Sequence, residues 1–99
     1  MKDGDILVAQ WGYEQTNVDF FQVIGLTGTM ATIREIEKRE EYDGNTMAGK
    51  ARPVKDVFIG GAVRRKAKSG HNGQEYLKIE PYSFAYPWDG TPQRFSTYA

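Results

Sequence analysis

Trp11-Gly12-Tyr13-Glu14-Gln15-Thr16-Asn17-Val18-Asp19 is a dense polar stretch flanked by apolar runs. Trp11 and Tyr13 offer flat faces for stacking. Glu14, Gln15, Asn17 and Asp19 add carboxylate and amide groups, and Thr16 a hydroxyl. That mixture can read hydrogen-bonding edges and stack on a planar group. The plainer reading is a loop whose Asn and Asp satisfy their own backbone. Glu14 and Asp19 could also serve acid–base chemistry, which needs mutual geometry that sequence does not give.

A second candidate is Tyr82-Ser83-Phe84-Ala85-Tyr86-Pro87-Trp88, with an aromatic residue at every second position. In an extended chain Tyr82, Phe84, Tyr86 and Trp88 point to one side. Such a row is either a stacking platform for bases or the apolar closure of a small core. Pro81 and Pro87 suggest an edge or irregular segment. A third is Arg64-Arg65-Lys66-Ala67-Lys68. As a strand it places Arg64, Lys66 and Lys68 on one face, to meet phosphates or an acidic partner, or to keep an edge strand from aggregating. His71, the lone histidine, falls in a turn signal with no metal-ligand or triad spacing around it.

Composition narrows the chemistry. The 99-residue chain has no cysteine, which excludes disulfides, Cys-ligated zinc and thiol catalysis. Gly60-Gly61 lacks the spacing and the Lys-Ser/Thr pair of a phosphate loop. No metal and no cofactor is expected. Formal charge sums to zero, but unevenly. Residues 1–49 are acidic on balance, and residues 50–68 hold seven basic side chains against Asp56 alone. Neutrality argues against a bulk electrostatic DNA binder and against an acidic DNA mimic, while the basic segment leaves room for a local anionic contact. The opening Met1-Lys2-Asp3-Gly4-Asp5 has no apolar signal core, and no run of about 18 apolar residues occurs. A cytoplasmic protein without membrane contact is therefore expected.

These segments need strands to position them. Gly4–Tyr13 reads as a first strand, apolar on both faces over Ile6–Ala9, as in a barrel or between packed layers. Asp19–Leu26 and Met30–Ile36 form a hairpin about Thr27-Gly28-Thr29. Arg34–Tyr42 has helix-favouring composition but only Ile36 and Tyr42 as apolar residues, so a strand protruding from the core is preferred, followed by a loop through Asp43-Gly44-Asn45. Pro53–Ile59 reads as a fourth strand with Pro53 at its start. Val63–Lys68 and Gln74–Glu80 flank the turn pair Asn72-Gly73, both of whose residues accept positive φ. The expectation is one mainly β domain over residues 1–99, with little helix: a small curled antiparallel sheet or SH3-like barrel of five to six strands.

Several blocks resemble a family of small proteins carried by phages and other mobile elements. They are Gly4-Asp5-Ile6-Leu7, then Trp11 through Val23 with its WGYEQTNVDF core, then Pro53-Val54-Lys55-Asp56 with Phe58-Ile59-Gly60, then Tyr82 through Gly90, then Ser96-Thr97-Tyr98-Ala99. The likeness spans most of the chain and is weakest over residues 34–50. It implies a phage or plasmid accessory protein. Such proteins often bind nucleic acid or block host defence enzymes, including as anti-CRISPR proteins.

Together these readings predict a non-enzymatic binding protein acting in the host cytoplasm. One reading is an inhibitor of a host protein or nucleoprotein complex such as a defence nuclease. The other is a small nucleic-acid-binding barrel that uses the aromatic row and the basic strand. The oligomeric state is left open.

Overall fold

The computed structural model describes residues 1–44 and 47–97. Asn45 of the expected loop, and Tyr98 and Ala99 of the closing block, lie outside them. Nine strands are present among the described residues: β1 (Ile6–Trp11), β2 (Asn17–Thr27), β3 (Met30–Tyr42), β4 (Ala48–Phe58), β5 (Val63–Lys66), β6 (Lys68–Ser69), β7 (Glu75–Glu80), β8 (Ser83–Pro87) and β9 (Gln93–Ser96). They form one antiparallel sheet in the order β6-β7-β8-β1-β2-β3-β4-β9, with β5 branching onto β3. The chain is mainly β with a curled sheet, as expected. It is not a closed barrel, and it has nine strands rather than five or six, of which β2, β3 and β4 run longer than expected.

Alternation along β1 and β2 explains the curl. Leu7 and Ala9 of β1, with Phe21 and Val23 of β2, face one way and pack with Ala31, Ile33, Leu77 and Ala85. Val18 and Phe20 face the other way and pack with Ile36, Ala51 and Phe95. Both faces of β2 are therefore buried, as the apolar run on both faces of its neighbour β1 requires. Phe20, Leu7, Ile33, Ile36 and Leu77 are all at most 1% exposed. Each contributes roughly 1.5–3 kcal/mol on burial.

Three local expectations need correction. Pro53 does not start β4; it lies mid-strand, opposite Lys38. The ladder is irregular there, because Ile36 pairs Phe58 while Lys38 pairs Pro53. The proline's missing N–H thus falls at a break, where it costs least. The intervening bulge is held by buried Gln22, whose Nε2 donates to Asp56 Oδ1 (2.8 Å) and whose Oε1 accepts from the Asp56 backbone N–H (2.9 Å). Asp56 adopts φ +67° there.

Residues 63–68 and 74–80 do not form one hairpin either. Val63–Lys66 pair β3, and only Lys68 and Ser69 pair β7. In the turn, Gly73 alone takes positive φ (+78°), while Asn72 Oδ1 accepts the Gln74 N–H. Finally, β8 is no edge strand. It lies between β7 and β1, with Pro81 in the preceding turn and Pro87 closing it opposite Leu7. Residues 34–42 continue β3 as a strand, and Glu37 and Arg39–Tyr42 are exposed, as a protruding strand predicts.

Candidate functional site

The alternation of β8 divides the aromatic row. Ser83 and Ala85 are buried on the side of the first core. Phe84 and Tyr86 face the opposite side, 37% and 42% exposed. Tyr76 of β7 joins them, its ring 6.1 Å from Phe84 and 5.8 Å from Tyr86. Cross-strand register puts Lys68 opposite Tyr76 and Lys78 opposite Phe84, hence on this same face. Three rings and two lysines therefore share the outer surface of β6, β7 and β8. Two grooves run along it. One of about 390 Å³ lies between Phe84, Tyr86, Asp89 and Gln93, and one of about 690 Å³ lies between Tyr76, Tyr86 and the turn at His71 and Asn72. Asp89 is held below the usual carboxylate range by hydrogen bonds from the Thr91 hydroxyl and backbone N–H, so it stays anionic on one rim.

The other members of the row lie elsewhere. Trp88 packs against the second core, edge-on to Phe20 at 6.2 Å, with its Nε1–H donated to the Thr91 carbonyl (2.7 Å). Tyr82 sits in the β7–β8 turn, 62% exposed, with its ring 5.3 Å from Trp11 at an interplanar angle of 55°. The expected single face thus holds for Phe84, Tyr86 and Trp88, the last packed down onto the second core, and fails for Tyr82, which the turn redirects.

Trp11 and Tyr82 wall a separate cleft of about 310 Å³ at the mouth of the first core, floored by Phe21. Asp19, Glu35, Glu80 and Arg65 also line it. Asp19 Oδ2 accepts the Trp11 Nε1–H (2.7 Å), and Lys38 Nζ lies 3.5 Å from Asp19 Oδ1. Glu35 stands opposite Phe21 on the inward face of β3. Its carboxyl is raised above the usual range, first by burial and then by the Asp19 charge, against the opposing pull of Lys38. Arg65 points inward, unlike its neighbours, and donates to the carbonyls of Arg64 (2.8 Å) and Ile79 (3.2 Å).

Each segment singled out in the sequence therefore contributes to the cleft: Trp11 and Asp19 from the first, Arg65 from the basic strand, Tyr82 from the aromatic row. The rest of the first segment stays outside it. Tyr13 is 99% exposed and Glu14 is exposed beside it. Gln15 Nε2 donates to Asn17 Oδ1 (3.4 Å), and Asn17 Nδ2 donates to the Trp11 carbonyl (3.3 Å), which is the self-satisfied loop of the plainer reading. Gly12 makes this turn possible: its φ is +132°, and a Cβ there would stand 2.0 Å from the Gln15 carbonyl oxygen. Arg64, Lys66 and Lys68 are exposed and alternate with inward Arg65 and Ala67.

Glu14 is not the carboxylate that joins Asp19; Glu35 is. Sequence reasoning missed it because Arg34–Tyr42 was ambiguous. Extending the strand alternation of Ala31 and Ile33 by one step would have placed it. Tyr76 and Lys78 were missed in the same way, although they alternate with apolar Leu77 and Ile79. Among the described residues no group of three or more His, Cys, Asp or Glu side chains could hold a metal ion, and no helix is long and apolar enough to cross a membrane. Comparison with protein-family models, with curated proteins and with solved structures found no match.

Proposed function

We propose that this chain is a non-enzymatic binding protein that holds a single-stranded nucleic acid on the outer face of β6, β7 and β8. The observation that carries the reading is the exposure of Phe84 and Tyr86 beside Tyr76, with Lys68 and Lys78 in register with the rings. Rings buried in a core cannot stack on a base, whereas open ones can. Each stacked base is worth about 1–3 kcal/mol. The zero net charge limits long-range attraction, so affinity here comes from stacking plus two local phosphate contacts. The setting suggested by the mobile-element resemblance, an accessory protein in the host cytoplasm, suits a binder of this kind.

Fluorescence anisotropy with labelled single-stranded and duplex oligonucleotides at low salt tests it. Single strands should bind more tightly than duplex, because only unpaired bases present their faces. Tyr86→Ala should weaken binding by roughly 5- to 150-fold, the equivalent of one lost stack. Lys68→Gln and Lys78→Gln should each flatten the salt dependence by about 0.7 in log–log slope. No binding at tens of micromolar would sink the proposal, since non-specific contacts alone usually reach roughly that level.

One observation favours the second reading, a protein partner such as a host defence nuclease complex. Tyr13 stands fully exposed at a loop tip, where a large amphipathic ring serves protein recognition at low entropic cost. A host protein retained by the folded chain but lost with Tyr13→Ala would support it. Retention unchanged by that substitution would count against it.

A further inference from the structure

The cleft at the mouth of the first core has a composition unlike the lysine-flanked face. Two of its walls are aromatic rings in contact with each other, their centroids 5.3 Å apart and their planes tilted by 55°. The Trp11 ring is fixed there by its hydrogen bond to Asp19. Three carboxylates line the space, those of Asp19, Glu35 and Glu80, against the single cation Arg65. Lys38 neutralises Asp19 from outside the cleft, and the Arg65 N–H groups are engaged on backbone carbonyls. The balance of these five groups is one net negative charge. Two of the carboxylates make no hydrogen bond or ion pair among the described residues: exposed Glu80 and, the costlier to leave unpaired, Glu35, which is half-buried over Phe21. Gly60 leaves room for it on the rim, where an added Cβ would come within 3.2 Å of the Glu35 Cβ.

We propose that this cleft is a binding site for an organic cation, a guanidinium or alkylammonium group lying against the Trp11 and Tyr82 rings and paired to Glu35. A cation gains from the faces of Trp and Tyr and from a partly desolvated carboxylate, and the cleft offers both within about 310 Å³. An anionic ligand would meet three carboxylates, and a purely apolar one would leave Glu35 without a partner. Burial and the Asp19 charge already strain the ionised form of Glu35, and a bound cation relieves that strain. The residues that floor the cleft, Phe21 and Ile79, face the first core, so this site lies on the opposite side of β8 from the Phe84–Tyr86 face and does not depend on it.

The cation could belong to a free small molecule or to an Arg or Lys side chain of a protein, and one titration separates the two. The 15N-labelled chain has two indole N–H resonances, from Trp11 and Trp88. Agmatine should shift the Trp11 resonance saturably and leave that of Trp88 in place. N-acetylcitrulline amide, a neutral isostere of the arginine head, should shift neither. Glu35→Gln should weaken agmatine binding at least about tenfold, as loss of a charge-assisted pair does, and Tyr82→Leu should weaken it less. An arginine-containing hexapeptide bound more tightly than agmatine assigns the cation to a protein side chain. Equal or weaker peptide binding assigns it to a free small cation. Absence of a saturable Trp11 shift up to about 10 mM agmatine, an affinity weaker than any useful site, overturns the proposal. So does equal binding of the citrulline compound, or an unchanged affinity in Glu35→Gln.

Discussion

Glu35 stands on the inward face of β3, two residues beyond Ile33, where the strand leaves the first core. Burial and the neighbouring Asp19 charge raise its carboxyl above the ordinary range. The folded chain therefore holds this proton more tightly than the unfolded chain does. Its contribution to stability is complete below the unfolded-state pKa and is lost as pH rises through the raised folded value. At neutral pH the ionised group consequently costs stability, and Glu35→Gln removes that cost. The variant should melt a few degrees above the wild type at neutral pH. The group is only half-buried and solvent screens it, so the gain stays below about 1 kcal/mol. The difference should close near pH 4, where the wild-type carboxyl is itself neutral. Thermal melts of both proteins across that range give the answer, and a variant less stable than wild type at neutral pH would contradict the assignment. Such a charge at a buried-face position is the pattern expected where function, not folding, selects the residue.

The elements were legible wherever local pattern and tertiary pairing agree. The run Asp19–Leu26 with its turn at Gly28 could only be a hairpin strand, and β2 and β3 pair from Thr27 and Met30 onward. Legibility failed where pairing is decided at a distance. The Asn72-Gly73 turn argues locally for a hairpin over residues 63–80, yet the long β3 offers Val63–Lys66 a better ladder than β7 does. Pro53 looked like a strand start because a break in the β3–β4 ladder leaves no local trace. The site followed the same rule: Trp11, Asp19, Arg65 and Tyr82 stood out by type, but only the fold shows that they meet. Gly49 carried no signal at all, though β3, β4 and β9 converge on it. A Cβ there would stand 2.0 Å from the Glu41 carbonyl oxygen and 2.9 Å from the Phe95 ring, which itself packs edge-on to Tyr42. Backbone cannot yield as a flexible side chain can. Gly49→Ala should therefore cost about 1–3 kcal/mol, the usual range for overpacking. It should appear in urea as a lowered midpoint with unchanged slope. A midpoint equal to wild type would mean that the three strands have room for a methyl group at this position.

At the scale of the whole chain, the two cores lie on opposite faces of β1 and β2 and share those strands. Leu7, Ala9, Phe21 and Val23 belong to one, and Val18 and Phe20 to the other. Neither core can form without β2 in place, because β2 supplies residues to both. Two cores that share their central strands should unfold as one unit, in the all-or-none manner of small domains. The tryptophans report on each half separately, Trp11 at the mouth of the first core and Trp88 against the second. In a urea titration of the labelled chain, the two native indole resonances should vanish with one midpoint. A sharper form of the same test truncates a side chain in one core and reads the other. Leu77 is fully buried in the first core and touches none of the second. Leu77→Ala should cost about 2–5 kcal/mol, and the Trp88 resonance should lose as much of its midpoint as the Trp11 resonance does. If Trp88 kept its wild-type midpoint while Trp11 shifted, the halves would be independent folding units that merely share a strand.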